Sequence, residues 1–220
     1  MKNRRRRVII VIKKTSEKGA YMKIYDISRE LLGATVYPGD PRPTLTTLAS
    51  MNEGALYNLT AISACCHNGT HVDAPRHFIN SGKTVGEMDI RKTVGYAFVA
   101  EHSGDVDEKD AENMLKKARE HGEEALKRIL IKGDATVTKE AANAFYRGGV
   151  SLLGVESQSV GPIDAPMEVH KILLGEEVVL LEGLTLAEVE EGAYFLFAAP
   201  INIGIAEGSP CRAVLVDFNS

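Results

Sequence analysis

Eight short runs, at residues 23–27, 58–66, 95–101, 127–132, 150–156, 177–181, 194–199 and 213–218, constrain this chain most. Most are dense in Val, Ile, Leu or aromatic residues and are bounded by Gly, Pro, Asp or Asn. Runs of that length and composition read as strands. Helical periodicity is scarcer. Residues 107–121 place Ala111, Met114, Leu115 and Ala118 on one face before Gly122, and residues 138–146 open on the capping residue Thr138 and stop before Gly148-Gly149. A third, shorter helix is expected from residue 165 or 166 to 174, ended by Gly175. Strands outnumber helices by more than two to one, so a regularly alternating βαβ sheet fits poorly. A mixed sheet, or two sheets with helices packed on one side, fits better.

A chain of 220 residues suits one large domain. With 44% hydrophobic and 25% charged residues it can bury a full core without disulfides or a structural metal. Any metal site is therefore expected to serve chemistry. The net charge of −4 argues against nucleic acid or anionic membrane as the main partner. Three cysteines, with Cys65 and Cys66 adjacent, make no disulfide framework and suit a reducing cytosol. The aliphatic run at residues 8–12 is too short for a signal-peptide core or a membrane span. The expectation is a cytoplasmic protein. Residues 1–21, with Arg4 to Arg7 followed by Lys13, Lys14 and Lys18, read as a basic, disordered or loosely attached leader, with Met22 a candidate natural start. A single domain is expected over residues 22–220.

Of six histidines, three fall in the segment His67-Asn68-Gly69-Thr70-His71-Val72-Asp73-Ala74-Pro75-Arg76-His77. Two histidines four apart could share a helical face. Here Asn68-Gly69 favours a turn between them, and Pro75 disfavours helix at Ala74. A strand ending at Cys66 or His67, a tight turn, and extended chain from Thr70 is the expected path. Alternate residues of extended chain point the same way, so His71 and Asp73 share a face that His67 reaches from across the turn. Two imidazoles and a carboxylate so arranged suit Zn²⁺ or Mn²⁺ with positions left open for water. Further ligands must come from elsewhere, and His170 and Glu182 are the candidates. Glu182, directly after Val178 to Leu181, reads either as a solvated strand end or as a site residue. His102 and His121 read as surface residues. Cys65 and Cys66 read as small buried hydrophobes, since adjacent strand residues point to opposite faces and at most one could turn to the metal.

With these residues in view, the chain resembles the cyclase family of metal-dependent hydrolases, whose best-known members are bacterial kynurenine formamidases. The family signature His-x-Gly-Thr/Ala-His-x-Asp-x-Pro-x-His is matched at every fixed position from His67 to His77. Asp26-Ile27-Ser28 and Pro38-Gly39-Asp40 are similar to its N-terminal motifs. Leu153-Gly154-Val155-Glu156 with Ser159 is similar to its central strand and loop. His170 and Glu182-Gly183-Leu184 match its distal ligand pair. The resemblance spans nearly the whole chain from Lys23 on.

It implies a three-layer β/β/α fold of the swivelling-domain kind, strand-rich with mixed sheets, and a homodimer or higher homo-oligomer. It also implies a two-metal centre. His67, His71 and Asp73 would hold one ion, Asp73 and Glu182 would bridge to a second held by His170, and His77 would be the proton donor and acceptor. Tyr37 stands where formamidases carry a substrate-facing tryptophan, before Pro-Gly-Asp. Two other departures, a short passage after Lys132-Gly133-Asp134 and Glu156 where the family has Asp, fall where substrate contacts are expected.

The implied reaction is hydrolysis of a small amide-like substrate, an N-formyl arylamine such as N-formylkynurenine leading. The metal lowers the pKa of a water that attacks the carbonyl, and His77 protonates the leaving amine. The alternatives are hydrolysis of a cyclic amide such as isatin with Mn²⁺, or a non-catalytic small-molecule or metal-binding protein on the same fold.

Overall fold

The computed structural model describes residues 9–13 and 21–218. Ten strands form one continuous mixed sheet, in the order β1 (Ile9–Lys13), β2 (Tyr21–Asp26), β14 (Val214–Asp217), β12 (Gly192–Phe197), β6 (Val94–Glu101), β8 (Arg128–Lys132), β10 (Leu152–Val155), β11 (Val179–Glu182), β5 (His71–Asp73) and β13 (Gly208–Pro210). The centre, β6-β8-β10-β11, is parallel, and both flanks are antiparallel. Four further strands pair outside it: β3 (Thr44–Ala49) with β4 (Leu59–Ser63), and β7 (Gly104–Val106) with β9 (Ala135–Val137).

The central strands are buried on both faces, as parallel strands must be. One face of β6, β8, β10 and β11 (Phe98, Ile129, Ile131, Leu153, Val155, Leu180) packs under the helices α1 (Glu108–Glu120), α2 (Glu123–Leu126), α3 (Lys139–Arg147) and α4 (Met167–Gly175). The other face, through Val99, Leu130, Leu152, Val179 and Leu181, joins a second core with Tyr25, Tyr194, Leu196 and Leu215 from β2, β12 and β14 and Val72 from β5. Strands from both ends of the sheet meet in that second core, so the sheet curls over on itself. The result is helix, sheet and curled sheet in three layers. The two β layers are one sheet rather than two separate ones.

Local chemistry explains the helices. Asp107 caps α1 by accepting from Asp110 N at 2.8 Å while the Asp110 side chain accepts from Asp107 N, a reciprocal box. Ala111, Met114, Leu115 and Ala118 all lie on its buried side. Thr138 caps α3 by accepting from Ala141 N. Each cap is worth about 1 kcal/mol. No helix among the described residues is long and apolar enough to cross a membrane.

From the leader, Ile9–Lys13 forms β1, an antiparallel edge strand on β2. Residues 1–8, with Arg4 to Arg7, and residues 14–20, with Lys14 and Lys18, lie outside the described residues. The run at 58–66 is shorter than its composition suggests: β4 ends at Ser63 and joins β3 in a hairpin exposed along nearly its whole length.

The site lies where β5 and β11 pair antiparallel, with His71 opposite Glu182 and Asp73 opposite Leu180.

Candidate metal centre

Between β4 and β5 the chain turns through residues 66–70, held by Asn68, whose Oδ1 accepts from Cys65 N at 2.8 Å. Thr70 then locks the turn to the end of β11, donating its hydroxyl to Gly183 O at 2.6 Å and accepting Arg29 N at 2.8 Å. Gly183 has φ +71°, and a Cβ there would stand 2.3 Å from Gly69 O. Only glycine permits the two loops to close this tightly. β5 follows, buried throughout, with His71 and Asp73 on one face. Pro75–His77 is a single 3₁₀ turn that aims His77 back at Asp73. His170 arrives from the middle of α4.

The two oxygens of Asp73 divide the histidines. Oδ1 lies 2.8 Å from His67 Nδ1 and 3.3 Å from His71 Nε2. Oδ2 lies 3.7 Å from His170 Nε2 and 3.9 Å from His77 Nε2. Glu182 repeats the division, with Oε2 at 3.4 Å from His71 Nε2 and Oε1 at 3.3 Å from His170 Nε2. The six side chains that the sequence singled out around this chemistry thus form one cluster, four histidines around two carboxylates. Glu182 is only 3% exposed. It is no solvated strand end, because the loop after β10 closes over it and Val160 N donates to Oε1 at 2.7 Å.

Electrostatics follow from that burial. Burial alone would lower the His71 pKa, but the flanking Asp73 and Glu182 carboxylates outweigh it and push it up to about 10. His67 and His170 are raised for the same reason, against their own burial. Asp73 is held well below its ordinary value, burial being overcome by His67 and His71. His77 goes the other way. Burial, together with neighbouring His67 and His170, lowers its pKa despite the attraction of Asp73.

Two observations test whether these residues suit a divalent cation. Asp73 Oδ2 is fully buried and has no hydrogen-bond partner among the described residues. An ionised oxygen in that position costs several kcal/mol unless a charge meets it. Donor atoms of His71, Asp73 and Glu182 also lie within 4.8 Å of one another, as do those of His67, Asp73 and His77. Imidazole and carboxylate donors at that spacing fit a borderline ion such as Zn²⁺ or Mn²⁺.

A cavity of about 200 Å³ opens over the cluster, walled by Tyr37, Phe78, Gln158, Ser159 and Pro166. The Tyr37 hydroxyl donates to Ile163 O at 2.6 Å and ties two rim loops together. The hydroxyl of Ser159 is buried without a partner among the described residues. Cys65 and Cys66 are half-buried beyond the end of β4 rather than packed within a strand, and the Cys65 thiol lies 3.8 Å from Asp40 Oδ2. Glu156 is not among the residues lining this cavity. Its carboxylate accepts from Gly133 N and Leu186 N and braces the strand ends. His102 and His121 lie away from the centre. Sequence reasoning missed Phe78, Gln158 and Glu207. Glu207 places Oε1 3.3 Å from His67 Nε2, and only its strand pairing reveals this.

Fold and donor set together define a strand-rich, mixed α/β domain with a buried metal-binding cluster. Residues 25–162 match the sequence profile of the Cyclase family, and the chain belongs to that family. It is 34% identical over 212 residues to a kynurenine formamidase of Salinibacter ruber, the alignment covering 89% of this chain and 98% of the relative. It is 32% identical over 211 residues to a kynurenine formamidase of Bacillus anthracis, covering 88% and 97% respectively. Its fold matches isatin hydrolase A from Labrenzia aggregata with a TM-score of 0.76 over 90% of this chain and 94% of that one, at 20% identity.

Proposed function

We propose that this chain is a metal-dependent amidohydrolase acting on a carbon–nitrogen bond of a small aromatic amide, an N-formyl arylamine first. The observation that carries the reading is the pair of buried carboxylates, Asp73 and Glu182, each facing two sets of imidazoles. His67, His71, Asp73 Oδ1 and Glu182 Oε2 would hold one ion, and His170 with Asp73 Oδ2 and Glu182 Oε1 a second. Zinc and manganese both suit the donors. When bound, such ions supply Lewis acidity that activates water and polarises a carbonyl.

The chain's own residues do the rest. His77 is 27% exposed and reachable from the cavity; with its pKa lowered by burial, its neutral ring takes the proton of the attacking water and passes it to the leaving nitrogen. Tyr37 and Phe78 give the cavity an aromatic wall for an aryl group. The unpaired Ser159 hydroxyl offers a donor to a substrate carbonyl or amide. Similarity to a formamidase at 34% identity over 89% of this chain favours a formamide over a cyclic amide.

Chelation followed by reconstitution with Zn²⁺ or Mn²⁺, then assay on formanilides and isatin, tests the reading. Formanilide turnover that depends on added metal is the expected result. Turnover of isatin alone would transfer the assignment to cyclic amides, and turnover of neither with metal bound would leave a binding protein.

We also place the protein in the cytoplasm as a homo-oligomer. Its free cysteines suit a reducing compartment. The β3–β4 arm exposes Leu45, Leu48, Met51, Leu56, Tyr57 and Ile62, and Glu53 is the one charge between residues 44 and 63. A lone two-stranded hairpin is marginally stable in water, and an apolar ribbon with a single charge marks an association surface. The double substitution Leu48→Lys, Leu56→Lys should lower the mass seen by light scattering. An unchanged mass would exclude the arm as the contact.

A further inference from the structure

Each metal-facing imidazole has one nitrogen turned toward the carboxylates and one turned away. His71 turns Nδ1 to Gly69 O at 3.1 Å, and His170 turns Nδ1 to Pro166 O at 2.8 Å. Both outer partners are backbone carbonyls, fixed by a turn and a helix. His67 is mounted the other way round. Its Nδ1 faces Asp73, and its Nε2 faces a side chain, with Glu207 Oε1 at 3.3 Å. Carbonyls and ionised carboxylates only accept hydrogen bonds. With a cation seated between the inner nitrogens and the carboxylates, the outer nitrogen is the one that keeps its hydrogen in all three rings, and the inner nitrogen is the one that offers a lone pair.

Glu207 is held for this task by the sheet. Its carbonyl accepts Ala74 N at 2.9 Å, and the next residue, Gly208, pairs with Asp73. A Cβ on Gly208 would come within 2.5 Å of the His67 ring. The missing side chain lets β13 pass at contact distance, which sets the Glu207 carboxylate at the ring edge. Its side chain remains 43% exposed, so it can be changed without opening the core.

We propose that Glu207 is the positioning residue of His67, holding Nε2–H so that Nδ1 is the nitrogen presented to the cation. The inference rests on the metal-binding reading of the Asp73 cluster. Of the three rings, His67 alone has an outer partner that substitution can remove without altering the backbone.

The test compares the full-length wild type with Glu207→Gln and Glu207→Ala. Zinc affinity of the metal-free proteins is measured by competition with a chromophoric chelator, and circular dichroism confirms that all three are folded. Removing an outer partner of a metal-bound histidine weakens affinity about 10- to 100-fold, and Glu207→Ala should show that loss. Glu207→Gln keeps an acceptor oxygen and should stay within a few-fold of wild type. Wild-type affinity in Glu207→Ala would overturn the inference. Equal losses in both variants would overturn it too, because they would make Glu207 a ligand acting through its charge. Failure of the wild type itself to bind zinc or manganese would instead overturn the reading of the centre beneath it.

Discussion

Asp73 Oδ2 stands 3.7 Å from His170 Nε2 without a hydrogen bond to it or to any other described group. The second oxygen of a fully buried carboxylate is thus left bare beside a nitrogen whose ring is already fixed by Pro166 O. That pairing leaves room between them for a cation and offers it two donors. Asp73→Asn removes the charge while keeping the shape. Zinc affinity should then fall by more than the roughly 100-fold that outer-partner changes cost. In a thermal melt the wild type should gain roughly 5–10 °C at a zinc concentration of about 100 Kd. The variant should gain almost nothing under the same conditions. An equal gain in both proteins would remove Asp73 from the centre.

Proton linkage gives the second prediction. Without metal, His71 is raised from its ordinary 6.5 to about 10 by its two carboxylate neighbours, acting against burial. A group raised in this way adds stability that is complete below the unfolded value and is lost as pH climbs through the folded one. The metal-free protein should therefore melt lower at pH 9.5 than at pH 6.5. A bound cation takes the place of those protons, so metal should narrow the difference. Zinc uptake in weakly buffered solution near pH 7 should release protons, and affinity should fall as pH drops. Uptake without acidification would show that the histidines are neutral before binding.

Tyr37 supplies the third. Its hydroxyl bridges to Ile163 O at 2.6 Å across the cavity rim. Tyr37→Phe keeps the ring and removes one hydrogen bond worth about 1 kcal/mol. KM for a formanilide should rise about fivefold, with kcat and bound metal unchanged, as steady-state kinetics and metal analysis would show. A fall in kcat with KM unchanged would place Tyr37 at the reacting bond instead of the rim.

Much of this centre is legible in the chain because its geometry is local. Asn68-Gly69 forces the turn, period two puts His71 and Asp73 on one face, and Pro75 blocks a helix that would have scattered them. Glu182 was legible only as an alternative. Whether a strand end meets water depends on what packs across it, here the loop carrying Ser159 and Val160. Glu207 gave no local signal, since β13 is three residues long and acquires meaning only by pairing with β5. Strand β3, Thr44-Leu-Thr-Thr-Leu-Ala49, escaped for a related reason. It has no buried face, so no alternation was written into it. The curled single sheet was out of reach as well. The residues of its second core are far apart in sequence, and only the closed fold brings them together.

The last prediction concerns His77. Its ring stacks on His67 with centroids 4.0 Å apart, and its Nε2 is 3.9 Å from Asp73 Oδ2. That spacing would also allow it to be a ligand with His67 and Asp73. Its pKa, lowered first by burial and then by the neighbouring histidines, favours a neutral ring that takes a proton from the attacking water and passes it on. If His77 protonates the leaving amine, His77→Ala should retain its metal and lose on the order of 10²–10⁴ in kcat. The loss should shrink for an aryl ester or an activated anilide, whose leaving group needs little protonation. A ligand would behave differently. Its removal depletes the ion that every substrate requires, so metal content should fall and all substrates should slow alike. Bound metal and both rates, measured on one preparation, separate the two roles. Equal losses with depleted metal would reassign His77 to the cation.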